Sequence, residues 1–215
     1  MNVVAEPMWE DRRLSPVDAA IKRLLDWFVA ALALIALLPV MVIIAMAIKF
    51  DSPGSVLFTQ VRVGTKGRKF CLYKFRSMAR DAEDVRCKLL HLNEASGPVF
   101  KITNDPRITR VGHFLRKYSL DELPQLINVL RGDMSLVGPR PPLPCEVEQY
   151  TTHEWKRLSI TPGITCMWQI SGRSNIPFAQ WVEMDLDYIR RQSLWLDAKI
   201  LVLTLPAVIL GRGAR

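Results

Sequence analysis

From Trp27 to Ile48 the chain reads WFVAALALIALLPVMVIIAMAI, 22 residues without a charge, fenced by Asp26 and Lys49. Roughly 20 helical residues cross a hydrocarbon core of about 30 Å, so this run belongs in a bilayer. It is too long, and begins too far inside the sequence, for a removable signal peptide, and no small-residue cleavage site follows Lys49. The preceding SPVDAAIKRLLDWF offers Ser15 as an N-cap and Pro16 at the first helical position, which predicts a helix running continuously into the membrane.

Two features bear on whether the run crosses the bilayer or turns back. Pro39 deletes a backbone hydrogen bond and presses on the preceding turn. It divides the run into arms of 12 and 9 residues, each reaching only about 14 to 18 Å at 1.5 Å per residue. A spanning helix normally carries its Lys/Arg excess on the cytoplasmic flank. Here Arg12, Arg13, Lys22 and Arg23 precede the run, while Lys49, Arg62, Lys66, Arg68 and Lys69 follow it. Both flanks read as cytoplasmic, as a re-entrant helix-break-helix hairpin requires. A kinked spanning helix satisfies the residues equally well.

The remaining sequence predicts one mixed domain of the α+β class, mostly helical. Residues 56–78 alternate around a Gly-rich middle, Gly64 to Gly67, and read as a β-hairpin. On its second strand Lys74 and Arg76 share a face by period two, and Tyr73 and Phe75 take the other. ARDAEDVRCKLLHLNEA reads as helical, and SGPVFKITNDPRITRVG as a loop or short extended piece. At the far end, LWLDAKILVLTLPAVIL is apolar but interrupted by Asp197, Lys199 and Pro206, and is too short after Lys199 to span; it reads as an interfacial or core helix, with the interface favoured. The resulting division is an N-terminal tail over 1–14, a membrane segment over 15–50, a catalytic domain over 51–192, and an interfacial helix and tail over 193–215.

A net charge of +8, from 29 Lys+Arg against 21 Asp+Glu, suits an anionic leaflet, nucleic acid or phosphorylated substrates alike. Cys71, Cys87, Cys145 and Cys166 form no Cys-x-x-Cys, and His91, His113 and His153 lack metal-ligand spacing, which reads as reduced thiols in a cytoplasmic domain without zinc. No P-loop or dinucleotide glycine motif and no internal repeat occurs.

The stretch SLDELPQ, Ser119 to Gln125, carries two adjacent acids. Its ordinary reading is a capping box, Ser119-x-x-Glu122. Pro124 disturbs that reading, since it would be the fifth helical residue, where its missing N–H should bond Leu120. With Asp121 as N-cap, Pro124 costs little, and both carboxylates stand at the positive end of a helix, a place that also receives phosphate. A carboxylate there is expected to stay ionised, as a nucleophile or metal ligand must. Arg116 lies five residues earlier. After the helix comes RGDMSLVGPRPP, in which Gly138, Pro139, Pro141 and Pro142 stiffen the chain around Arg140. Two acids among several cations match the requirements of phosphoryl transfer: a carboxylate-held Mg²⁺ and an arginine clamp on phosphate oxygens.

KFRSM, DPRITRVGHFLRKYSLDELPQLINVLRGDMSLVGPRP and PGITCMWQISGR, in this order after a Pro-broken membrane segment, resemble the monotopic phosphoglycosyl transferases, the bacterial sugar transferase family. The resemblance covers Val17 to about Val202 and points to the exopolysaccharide and O-antigen initiating type. It implies transfer of a hexose-1-phosphate from a UDP-sugar to polyprenyl (undecaprenyl) phosphate with release of UMP, at the cytoplasmic face of the bacterial inner membrane. Carried onto matching positions, Asp121 is the nucleophile, forming a phosphosugar-aspartyl intermediate, and Glu122 binds Mg²⁺. Lys74, Arg116 and Arg140 bind the phosphates, Arg173 in SGR is a further anion ligand, and Arg76 sits in a family motif with a less defined role. Pro39 becomes the break of a re-entrant hairpin, which the resemblance favours over a spanning helix.

The implied partners are the UDP-sugar, with glucose or galactose expected, polyprenyl phosphate and membrane lipid. Nucleic acid is not among them, and a homodimer is compatible. Two other functions fit the residues: a membrane-tethered adaptor binding anionic lipid, with Asp121 as a plain cap, and an ordinary glycosyltransferase that releases UDP. Trp155, Trp168, Trp181 and Trp195 read as sugar platforms, interface anchors or core residues, with core packing expected for at least half. Gly163 is expected to set a turn, His113 to be structural, and Asp185 and Tyr188 to belong to a buried network.

Overall fold

The computed structural model describes residues 14–172 and 176–209. The first helix, α1 (Pro16–Asp51), starts as its sequence dictates: Ser15 accepts the Asp18 N–H and Pro16 occupies the first turn. It is 36 residues long, about 54 Å at 1.5 Å per residue, and among the described residues it is the one helix long and apolar enough to cross a membrane. The helix runs through Pro39 without interruption, so the expected break into two helices is not seen. A proline removes one hydrogen bond and crowds one carbonyl, which a long helix absorbs while keeping helical backbone angles.

α1 docks on the rest of the chain by two stripes on either side of Pro39. Ala30, Ala33 and Leu34 pack into the larger core, while Met41, Ile44, Ala45 and Ile48 pack with Phe75 and Leu115 in a second one. Leu32, Ile35, Leu38, Val42, Ile43 and Met46 are left uncovered.

β1 (Leu57–Val63) and β2 (Lys69–Phe75) form the expected antiparallel hairpin, pairing Gln60 with Leu72 and Arg62 with Phe70. After β2 come the short helix α2 (Ala82–Arg86), a 3-10 turn over Cys87–Leu92 and an extended loop bridged by Met78 and Ile108. α3 (Arg110–Lys117) is capped by Thr109, whose hydroxyl accepts the Gly112 N–H. Asp51 at the end of α1 accepts the Val111 N–H, tying α3 to α1. α4 (Gln125–Arg131) follows and ends on Gly132 at φ 88°, a left-handed position that glycine takes without penalty. Its last carbonyls are held from α1, where Arg23 donates to Val129 at 2.6 Å and Leu130 at 3.1 Å.

β3 (Ser135–Val137) lies parallel to β4 (Gly163–Thr165), with the short helices α5 (Pro144–Val147) and α6 (Thr152–Trp155) between them. Gly163 does not set a turn. It sits in β4, and a side chain there would collide with the Gly138 backbone, so glycine serves the close approach of two strands. α7 (Met167–Ser171), α8 (Phe178–Arg191) and α9 (Leu194–Ile209) complete the fold.

The larger core gathers Leu72, Val129, Leu136, Trp181, Leu186 and Ile200. Trp168 and Trp181 pack there with ring centroids 4.4 Å apart, and Trp155 and Trp195 are exposed, as expected for half of the tryptophans. In α9 Ile200 is wholly buried, as a core helix requires, while Trp195, Val202 and Leu205 are exposed. Asp185 and Tyr188 are indeed buried and networked. Tyr188 donates to Asp197 at 2.6 Å, and Asp197 meets Lys22 of α1 at 2.5 Å.

Candidate active site

Asn128 explains why two acids from a turn stand beside a strand lysine. Its fully buried amide accepts the Tyr73 N–H at 3.0 Å and donates to the Cys71 carbonyl at 2.7 Å. One side chain thereby continues the ladder of β2 as a neighbouring strand would, and fixes α4 against it. Residues just before α4 are carried to the Lys74 face of the hairpin.

Asp121 is not the N-cap of α4. Ser119 adopts a left-handed conformation at φ 52°, Leu120–Glu122 form a 3-10 turn, and Pro124 stands at the helix start. The left-handed residue costs about 1 kcal/mol in a non-glycine side chain and swings the two acids inward instead of along the α4 axis. Lys74 Nζ reaches Glu122 Oε1 at 2.7 Å and Asp121 Oδ2 at 4.0 Å. Asp121 is buried, and burial pushes its carboxyl above the ordinary carboxylate range. Lys74 pulls it back, Glu122 adds to the rise, and Arg116 pulls it down. The expectation of a carboxylate favoured by a helix N-terminus is thus corrected, because desolvation in a turn outweighs the nearby cations.

These groups line one cavity of about 780 Å³, which Lys74, Arg116, Asp121, Glu122 and Arg140 all face. Arg140 has its guanidinium 5.5 Å from the Trp181 ring centroid. Arg76 lines the cavity wall, but its guanidinium is committed elsewhere: it donates to Pro53 O at 3.0 Å and Ser52 O at 2.6 Å, closing the C-terminal end of α1. Arg173 lies outside the described residues. His113 is exposed on α3 and does not line the cavity.

The sequence reading missed Arg62, Gln60 and Glu146, which line the same cavity together with Trp168. A signal was present for two of them: Gln60 and Arg62 alternate along β1 on the face that carries Lys74 across the ladder. Burial, and next the charge of Arg140, lower the Arg62 pKa to about 9. Behind the cavity, Arg157 pairs with Asp185 at 2.8 Å. Burial lifts the Asp185 carboxyl to about 6 against the pull of Arg157.

For a divalent cation the donor chemistry fits in part. Mg²⁺ commonly takes one or two carboxylates and completes its shell with substrate phosphate oxygens and water. Glu122 and Asp121 offer such carboxylates at the cavity wall. No group of three His, Cys, Asp or Glu converges among the described residues, so a cage made wholly of protein is not offered there.

The sequence pattern of bacterial sugar transferases matches residues 17–211. The galactosyl transferase CpsE of Streptococcus agalactiae is 50% identical over 195 residues, 90% of this chain and 43% of that protein. The exopolysaccharide production protein ExoY of Sinorhizobium fredii is 40% identical over 209 residues, covering 95% of this chain and 92% of ExoY. The UDP-glucose:undecaprenyl-phosphate glucose-1-phosphate transferase of Xanthomonas campestris is 43% identical over 196 residues, 87% of this chain and 38% of that enzyme. The chain therefore spans less than half of two of these relatives and nearly the whole of the third. With the paired acids, the lysine and the arginines of the matched motifs gathered at one cavity, the chain belongs to the bacterial sugar transferase family.

Proposed function

We propose that this protein transfers a hexose-1-phosphate from a UDP-sugar to a polyprenyl phosphate such as undecaprenyl phosphate, releasing UMP, at the start of exopolysaccharide or O-antigen assembly. The names of its relatives support donor and acceptor alike. The observation that carries the reading is a buried carboxyl, Asp121, meeting a lysine and a second acid at a cavity walled by arginines.

A carboxylate oxygen of Asp121 attacks the sugar-linked phosphorus, and the bond to the bridging oxygen breaks, so that UMP leaves with the electron pair. Arg116, Arg140 and Lys74 hold the phosphate oxygens while charge redistributes. UMP departure vacates the pocket for the lipid, whose phosphate oxygen attacks the same phosphorus and returns Asp121 to its carboxylate. Glu122 is the residue that would hold Mg²⁺, and a bound Mg²⁺ supplies neutralisation of charge on the phosphate oxygens.

The packing of α1 supports a membrane arrangement. Its Lys22 and Ala30 end and its Ile48 end both pack on one domain. A domain on one side of a hydrocarbon core about 30 Å thick does not reach both ends of a crossing helix. We therefore read α1 as bending at Pro39 while its helical hydrogen bonding continues on both sides, so that it enters and leaves the same, cytoplasmic, leaflet of the inner membrane with Pro39 at its deepest part and the cavity level with lipid phosphates. Identifying the nucleotide product tests the reaction: purified protein, UDP-sugar and polyprenyl phosphate should give UMP. UDP as the product means an ordinary glycosyltransferase, and no nucleotide product means a tethered adaptor.

A further inference from the structure

Four consecutive carbonyls hold Arg140 in place, and each is taken by a different donor. Gly163 N–H donates to Pro139 O at 2.9 Å and Val63 N–H to Pro142 O at 2.9 Å. Arg157 Nη2 donates to Arg140 O at 3.4 Å, and Arg62 Nη1 to Pro141 O at 3.0 Å. Three of the four residues are prolines and bring no N–H of their own, so apart from the Arg140 N–H this backbone offers only acceptors and depends on outside donors to stay put. Pro139, Pro141 and Pro142 are buried, and of the four residues Arg140 is the one that remains partly open.

Arg62 is the donor whose charge is unusual. It is 7% exposed, it makes no ion pair among the described residues, and its second terminal nitrogen donates to Gln60 Oε1 at 2.6 Å. Burying a guanidinium opposite another one is costly, and a neutral donor would satisfy a carbonyl with less penalty. What an arginine adds is a planar fork that binds two acceptors at a fixed angle, here one on its own strand and one on the Arg140 segment. Gln60 and Pro141 are thereby locked to each other.

Resting on the transferase reading, we propose that Arg62 is a positioning residue that acts through Arg140. It holds the segment so that the Arg140 guanidinium meets a phosphate group of the donor nucleotide, instead of binding that phosphate itself. Arg62 lines the cavity, so direct contact is the rival role, and coupling between the two arginines separates them.

The test is a double-mutant cycle on UDP binding by the full chain in detergent, measured by calorimetry. Arg140→Ala should weaken UDP about 30-fold and Arg62→Gln about 10-fold, with the double variant within about 2-fold of Arg140→Ala alone, because positioning has no effect once its target is gone. Arg62→Lys, which keeps one donor, should recover part of the loss, and uridine, which lacks phosphate, should bind Arg62→Gln as it binds the unaltered protein. Losses that multiply in the double variant mean direct contact and overturn the proposal, as does equal loss of uridine and UDP, or an unaltered protein that binds no UDP. If Arg62→Gln does not fold, Gln60→Leu takes its place in the cycle with the same expectations. Protein that binds UDP yet releases no UMP overturns the transferase reading and leaves the cycle readable.

Discussion

Lys74 Nζ lies 2.7 Å from Glu122 Oε1 and 4.0 Å from Asp121 Oδ2, so a single ammonium is shared by both acids of the pair. Its charge opposes the burial that lifts Asp121. Removing it in Lys74→Met lets the Asp121 pKa rise further, and the proposed nucleophile then ionises only at higher pH. The acid limb of the kcat/KM profile should move toward neutral pH, with about a 10²-fold loss on the plateau from the missing phosphate contact. A pH–rate profile of the variant checks both; an unmoved acid limb means that Lys74 does not govern Asp121.

Asp121 also sets a trade between stability and activity. Its folded pKa is raised, so its protonated form favours the native state, and that contribution is complete below the unfolded value of 3.8 and lost as pH rises through the folded one. At pH 7 the ionised side chain is therefore a cost to the fold. Asp121→Asn removes the cost and the proposed nucleophile together. Thermal unfolding should show a melting temperature at or above that of the unaltered protein, while UMP release falls to background.

Asn128 couples the hairpin to the catalytic turn, and Asn128→Ala leaves the Tyr73 N–H and Cys71 carbonyl without their partner. Two part-buried backbone groups and a small void should cost about 1 to 3 kcal/mol. Denaturant unfolding measures this, and turnover should drop as the Asp121 turn loses its register against Lys74.

Topology has its own measurement. Single cysteines replacing Val17 and Ser55, in a chain whose four native cysteines are changed to serine, should react with an impermeant maleimide from the same face of inverted vesicles. Reaction from opposite faces contradicts a helix that returns to the leaflet it entered.

The elements were legible wherever local rules act alone. Ser15 and Pro16 announce the start of α1, the alternation in residues 57–75 announces the hairpin, and each appears where expected. What the sequence could not express was set by tertiary partners. The role of Ser119 as a left-handed hinge, which takes the cap from Asp121, depends on α3 and α4 being fixed from elsewhere. Arg76 shares the face of Lys74 in the sequence pattern, but only the fold brings to it the orphan carbonyls at the end of α1 that its guanidinium also bonds. Gln60 and Arg62 share the Lys74 face, but only the fold brings Pro141 to them. Asp121, Glu122, Lys74, Arg116 and Arg140 were readable because they sit in long motifs, and the cavity unites them although up to 66 positions separate them in sequence.

The most direct measurement is the mass of the protein after rapid mixing with its UDP-sugar in the absence of lipid. Covalent capture by Asp121 predicts a species heavier by one hexose phosphate, localised to the peptide carrying Asp121, equal in amount to the UMP released and discharged when polyprenyl phosphate is added. Turnover at full rate with no mass gained at Asp121, when trapping precedes discharge, would contradict the account.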